Sequence, residues 1–464
     1  MHYPIPYTLA TSAEILTRRD HCVIIDRKKL KCSVIHTSEA FILSFLDTKI
    51  TRSELAGIFS GIYDVRPEDA LITINSTIER LKTYLSSKAG LEMDVFRYQP
   101  ETFIYPGFSE LPGMTTPMDS PLYLTLVLGN RCNFKCIYCY ANLSGPPLSL
   151  SSSAAIGLIN DAEEMGAVSV CLSGGEPLLH PDIDKIVFAA TERGMLVVLA
   201  TNAALLNEPM ADRLRRAGLE SIQVSLDTPS ASLHHFITGS ENSFDRVIAG
   251  IGILKARGLR VGVRSVIMPH NWKEVPELVD LLSGLNVDEI SLTTQANCSC
   301  NFEGNTKMAR TGKMESDFLR NMIIEKSVKY PGCELFFTDR ELKWQSHKDI
   351  VPCGSPMSTL VVHPSGEVTI CEMIGDDPEI SIGNIHRSDI RDMWLGQRHQ
   401  HFLKEITNAS RVDPDCARCG SLGQCRTGCF SFSKGVHGDY YKKDPRCPGP
   451  DALEDNRSGG SEHA

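Results

Sequence analysis

The stretch Cys132-Asn-Phe-Lys-Cys136-Ile-Tyr-Cys139 places three cysteines within eight residues, just past an apolar run, Leu122 to Leu128, that reads as a strand. A zinc site ordinarily draws on four ligands with paired two-residue gaps. Here the gaps are three residues and then two, with no fourth ligand nearby. Such a triad suits three irons of a [4Fe–4S] cube, leaving the fourth iron open. An open iron can bind a small molecule and pass it one electron.

Composition narrows the reading of the thiols. The chain has 464 residues and 16 cysteines, and Met1 to Ala10 shows no basic region ahead of an apolar stretch. No signal peptide is read there, so clustered thiols point to metal rather than disulfides. A formal net charge of −10 leaves no footprint for nucleic acid or an anionic membrane. No apolar run approaches the ~18 residues of a membrane span. The expectation is a soluble, cytoplasmic protein that engages neither nucleic acid nor membrane.

Periodicity divides the chain into segments. Residues 1–90 read as a small domain: strands at His21–Arg27 and Leu30–His36, a helix from about Ser38 to Leu46, a second opened by the capping box Thr51-Arg-Ser-Glu54, and a third opened by Pro67. Strands followed by three short helices predict a winged-helix-like unit, although no basic stripe suggests DNA. Residues 91–120 carry Pro100, Pro106, Pro112 and Pro117 and read as a linker. From 121 to 293, apolar strands alternate with helical patterns: Leu122–Leu128, Val168–Leu172, Leu196–Leu199, Ile222–Leu226, Val261–Ile267 and Ile290–Leu292. The fold class predicted is α/β, a partial (β/α)6 TIM-like barrel with a C-terminal cysteine-rich iron–sulfur domain and the N-terminal winged-helix-like domain. In such barrels, chemistry sits at the C-terminal ends of the strands. The three-cysteine loop, Gly174-Gly-Glu-Pro177, Thr201-Asn202 and Asp227 all fall at such ends. Residues 294–350 form a bridging region, 351–450 the cysteine-rich domain with a hairpin turning at Pro364-Ser-Gly366, and 451–464 a polar tail expected to be disordered.

With these motifs in place, the chain resembles the radical S-adenosylmethionine (radical SAM) superfamily. The resemblance implies that Cys132, Cys136 and Cys139 hold a cluster whose open iron binds SAM, from which a 5′-deoxyadenosyl radical is released. It further implies cofactor contacts from Tyr138 near adenine, from Gly174, Gly175, Glu176 and Pro177 around the methionine amine, and from Asn202, Ser225 and Asp227. Arg264 is a candidate for the carboxylate, with a salt bridge at the core edge as the plain alternative. Ala203 stands where the family often has glycine, and Asn271 reads as little more than a cap.

Cys353, Cys371, Cys416, Cys419, Cys425, Cys429 and Cys447 resemble the SPASM extension of radical SAM enzymes. That resemblance implies two auxiliary [4Fe–4S] clusters: Cys416, Cys419, Cys425 and Cys447 hold one, while Cys353, Cys371 and Cys429 hold the other. Cys333, Cys298 and Cys300 are candidates for its fourth ligand. The alternative from the residues alone is a zinc ribbon over Cys416 to Cys429. Cys22, Cys32 and Cys171 read as ordinary buried thiols.

No catalytic residue is assigned. Glu372 is a weak candidate for a base, by resemblance to sulfatase-maturing enzymes, and an exposed hairpin glutamate is the plainer reading. The first domain resembles the PqqD-like element that binds a leader peptide by strand addition. Together these resemblances imply an oxidative peptide maturase. It would crosslink a ribosomally made precursor peptide carrying a leader, with electrons from a reductase, flavodoxin or ferredoxin. Formylglycine-generating sulfatase maturation, peptide epimerisation and non-catalytic peptide binding are the alternatives.

Overall fold

The computed structural model describes residues 5–17, 22–29, 31–87, 97–104, 118–141, 146–295, 313–339 and 353–450. These form two compact units, Met1–Asp119 and Ser120–Ala464.

In the first unit, β1 (Tyr7–Leu9) pairs antiparallel with β5 (Leu85–Ser87), and β2 (Ala13–Thr17), β3 (Cys22–Asp26) and β4 (Lys31–Ile35) form an antiparallel meander. The sequence predicted β3 and β4 and missed β2, whose short Ala-Glu-Ile-Leu-Thr run alternates too briefly to stand out. Helices Thr37–Ser44, Arg52–Tyr63 and Pro67–Arg80 follow. The capping box at Thr51 is formed: Thr51 Oγ1 accepts from the Glu54 N–H at 3.2 Å, and the Thr51 N–H donates to Glu54 Oε2 at 2.8 Å. Phe41, Leu55, Ile74 and Ile78 fill the core against Ile24 and Ile35. Arg97, inside the proline-rich stretch, is anchored here. It donates to the carbonyls of Leu9, Ala10 and Ala13 and sits 3.2 Å from buried Asp47.

The second unit is organised on one sheet of ten strands. In spatial order these are β12 (Glu334–Thr338), β11 (Glu289–Thr294), β10 (Arg260–Ile267), β9 (Ser221–Ser225), β8 (Leu196–Thr201), β7 (Ser169–Ser173), β6 (Tyr123–Val127), β13 (Thr359–Val362), β14 (Glu367–Thr369) and β15 (Gly383–Asn384). Strands β6 to β11 are the six predicted, all parallel. They read as apolar runs because helices cover one face and the opposite face also holds side chains. Two more parallel members extend the sheet. β12 adds beyond β11, and β13, the first arm of the predicted hairpin, pairs with β6 so that Leu360 lies opposite Leu124. The hairpin turns at Gly366, whose φ of +82° is left-handed and suits glycine. The C-terminal cysteine-rich segment is thereby attached to the barrel sheet itself. Among the described residues, no helix is long and apolar enough to cross a membrane. The tail from 451 lies outside the described residues.

Candidate active site

The cysteine loop leaves β6 and is held from two sides. The N–H groups of Lys135 and Ile137 donate to the carbonyls of Thr238 and Ile237 at 2.8 and 2.9 Å, fixing the loop to the end of helix Ala231–Thr238. Phe134 is buried with its ring edge-on to His234. Cys132 Sγ accepts from the Phe134 N–H at 3.4 Å and from Asn202 Nδ2 at 3.9 Å. The thiols of Cys132, Cys136 and Cys139 lie near enough that each of the other two raises the pKa of Cys136. Burial is the larger cause there, and it also pushes Cys132 up to about 11.

The loop after β7 lies against that cysteine loop. The Gly175 and Glu176 N–H groups donate to the carbonyls of Gly129 and Arg131, both at 2.8 Å. A Cβ on Gly175 would fall 2.1 Å from the Arg131 carbonyl oxygen, and Gly174 has a φ of +146°. Both positions therefore need glycine. Glu176, 4% exposed, accepts from Thr201 Oγ1 at 2.5 Å and the Leu178 N–H at 3.0 Å on one oxygen, and from the Asn202 N–H at 2.9 Å on the other. Burial raises its pKa and these hydrogen bonds lower it. Each oxygen is already engaged by the chain, so Glu176 first of all clamps the ends of β7 and β8. Pro177 opens a short turn, Pro177–Leu179.

At the end of β9, Asp227 is 2% exposed. Its Oδ1 accepts from the Val266 N–H and its Oδ2 from the Tyr138 hydroxyl, each at 2.8 Å. Burial lifts its carboxyl to about 6. Asn271 is completely buried, donating from Nδ2 to the carbonyls of Asp227 and Val266 and accepting from the Met268 N–H. This bracing role is not legible in the sequence, because a lone asparagine after a strand looks like any cap. Arg264 pairs in register with Ser225. Its side chain, 49% exposed, donates to Gln223 and Ser291 and neighbours the thiol of Cys171.

Glu372 is half-buried rather than a free hairpin carboxylate. Its Oε1 accepts from Ser173 Oγ at 2.6 Å, and it is hydrogen-bonded to the buried hydroxyl of Tyr140. Glu372 and Arg264 are both electrostatic neighbours of Cys171, which the sequence had marked as an ordinary strand thiol. Tyr140, Gly129, Gly174, Gly175, His363 and Glu372 line an open cleft at the C-terminal ends of β6, β7 and β13. Tyr140 and Ser173 directly adjoin the quoted motifs, which was the signal available for finding them.

The later cysteines separate into two groups. Cys353 and Cys429 both raise the pKa of Cys371, and burial pushes Cys353 itself up to about 11. Cys416 neighbours Cys425, Cys447 and Cys419; burial first, then acidic and thiol neighbours, push Cys416 and Cys425 up to about 12. Cys416, Cys419, Cys425 and Cys447 line one small cavity. Cys333 does not join the first group. It lies at the start of β12 beside Asp288, Arg260 and Glu289, at the far edge of the sheet from β13. Its candidacy as fourth ligand is corrected accordingly. Cys298 and Cys300 lie outside the described residues. Cys22 is a core thiol of the first unit.

Residues 126–282 match the radical SAM superfamily, and 353–420 match the SPASM iron–sulfur cluster-binding domain. The chain carries both domains. They imply iron–sulfur clusters and SAM. An AdoMet-dependent heme synthase of Methanosarcina barkeri is 24% identical over 357 residues, 72% of this chain and 98% of that protein. A PqqA peptide cyclase of Ruegeria pomeroyi is 23% identical over 344 residues, 73% of this chain and 89% of that one. The crystal structure of Streptococcus suis SuiB bound to precursor peptide SuiA has the same fold, with a TM-score of 0.63 at 17% identity over 95% of this chain and 100% of that one.

The three thiol groups fit clusters in their chemistry. Among the described residues no three such side chains close tightly enough around a single ion, and no described cysteine is disulfide-bonded. Thiols gathered out of water are held protonated, and ligation needs thiolates. A cationic iron core offsets both the burial penalty and the mutual repulsion of the sulfurs.

Proposed function

We propose that the chain uses SAM to start a radical reaction that crosslinks a ribosomally made precursor peptide. When bound, the clusters and SAM supply the one-electron chemistry. Cys132, Cys136 and Cys139 hold the first cluster. Gly174 and Gly175 let backbone approach the cofactor, and Glu176 orients Thr201 and Asn202 beside Cys132. Tyr138 and Asp227, with Ser225 and Arg264 in register behind them, border the nucleoside side. Glu372, fixed by Ser173 and Tyr140, takes a proton from substrate in the cleft. Cys416, Cys419, Cys425 and Cys447 hold one auxiliary cluster and Cys353, Cys371 and Cys429 the other, with a flavodoxin, ferredoxin or reductase as electron donor.

The extent of the SuiB match carries the peptide reading. It takes in 95% of the chain, so the first unit has a structural counterpart in a protein solved with a precursor peptide. The heme synthase match leaves more than a quarter of this chain uncovered. In the β2–β3–β4 meander Arg97 and Tyr98 already engage the backbone of β2, so a leader strand would add at the β4 edge.

Anaerobic co-expression with candidate short precursor peptides, read by mass spectrometry, tests this. Loss of two hydrogens is expected, and deletion of residues 1–90 should abolish it. An unchanged peptide, or one modified equally by the deleted chain, contradicts the proposal. The heme synthase likeness is the ground for a second reading, a porphyrin substrate, and heme formation from a porphyrin precursor by the purified enzyme would support it.

A further inference from the structure

Arg426 lies in the turn that separates Cys425 from Cys429, one cysteine from each of the two later groups. It is 4% exposed. Neither Nη1 nor Nη2 finds a hydrogen-bond partner among the described residues. A buried guanidinium left so is strongly unfavourable unless an anion meets it. Its electrostatic neighbours are sulfurs that cluster ligation would make thiolates: Cys353 of one group and Cys425 of the other.

The backbone is contorted to bring it there. Arg426, Thr427 and Gly428 are all left-handed, with φ of +51°, +66° and +86°. That conformation is disfavoured for an arginine and more so for a β-branched threonine. The surroundings enforce it. The Asp444 N–H donates to the Thr427 carbonyl at 3.0 Å, and Asp444 Oδ2 accepts from the Cys429 N–H at 2.7 Å. A Cβ on Gly428 would meet Asp444 at 2.5 Å.

A second arginine sharpens the contrast. Arg446 also neighbours Cys353 and Cys429, but Asp444 engages it in a two-point pair at 3.0 and 2.7 Å. Its charge is spent locally. Arg426 has no such carboxylate among its electrostatic neighbours.

We propose that Arg426 is a positioning residue common to both auxiliary centres, its otherwise unpaired guanidinium supplying positive charge beside a cysteine of each and stabilising their reduced forms. This rests on the reading that the seven later cysteines hold clusters. Charge and hydrogen bonds to sulfur are among the determinants of cluster potential. A permanent cation beside the cluster favours the more negative, reduced state.

The test uses the full-length chain carrying Cys132→Ala, Cys136→Ala and Cys139→Ala, reconstituted anaerobically with iron and sulfide, so that only auxiliary centres report. Redox titration followed by electron paramagnetic resonance compares Arg426→Gln and Arg426→Lys with this background. Arg426→Gln should shift the reduction equilibrium toward the oxidised form by at least tenfold, about 59 mV for a one-electron couple. Arg426→Lys, which keeps the charge, should shift it less than threefold. Unchanged midpoints in Arg426→Gln, or equal shifts in both variants, overturn the proposal. If Arg426→Gln loses iron, recovery of that iron in Arg426→Lys supports the proposal, and equal loss in both overturns it. A background chain that binds no iron before any change at Arg426 overturns the auxiliary-centre reading and this inference together.

Discussion

The hydroxyl of Tyr138 donates to Asp227 Oδ2 at 2.8 Å, tying the cysteine loop to the end of the fourth barrel strand, 89 residues away in sequence. Through Asp227 Oδ1 and the Val266 N–H the same link reaches the fifth strand. The cysteine loop and two strand ends thus share one buried carboxylate.

That carboxylate makes stability depend on pH with a definite sign. Burial lifts Asp227 from 3.8 to about 6. Between those values the folded chain binds more protons than the unfolded one, so this group's contribution is full below about 4 and is lost as pH rises through 6. The whole difference is about 3 kcal/mol. Asp227→Asn should therefore raise the thermal midpoint relative to wild type at pH 7.5 and leave it near wild type at pH 4. An equal fall at both values would show that the carboxylate charge does not matter there.

Gly175→Ala places a methyl 2.1 Å from the Arg131 carbonyl oxygen, which is backbone and cannot swing aside. The cysteine loop must shift. We expect a loss of about 2 kcal/mol or more in stability, together with at least tenfold weaker SAM binding by equilibrium dialysis. Wild-type binding would show that the two loops are not packed as described.

Ala203 shows what could and could not be read from the sequence. Its place after Thr201-Asn202 stood out as a departure from a glycine the family often has, and the structure gives it a φ of +58°. Ala203→Gly should relieve a left-handed strain of about 1–2 kcal/mol, less the extra backbone freedom glycine brings to the unfolded chain. A higher thermal midpoint is expected, by a few degrees at most.

The six barrel strands were legible because each is a compact apolar run, four of them ending in a polar motif, while the division of the seven later cysteines came from the resemblance to the SPASM extension. Neither β12 nor the pairing of β13 with β6 could be read. Glu334-Leu-Phe-Phe-Thr338 is half-exposed, so burial imposes little pattern on it, and hairpin residues carry no mark of which strand they will join. Glu372 was obscured for the same reason. Its partners Ser173 and Tyr140 are 199 and 232 positions away, and sequence neighbours say nothing of such contacts.

Glu372→Gln keeps the shape of the side chain and its reach to Ser173 but cannot take up a proton. Peptide modification should fall by about 10²–10⁴, while 5′-deoxyadenosine is still released. Equal loss of both products would place Glu372 in cofactor binding instead.

The most direct test of the account is iron per chain after anaerobic reconstitution. Three cubes require about twelve irons in the wild type. The triple alanine variant at Cys132, Cys136 and Cys139 should retain about eight and lose SAM cleavage, and alanine at Cys416, Cys419, Cys425 and Cys447 should also leave about eight. A colourless wild-type protein containing zinc, or a wild type holding only four irons, would contradict it.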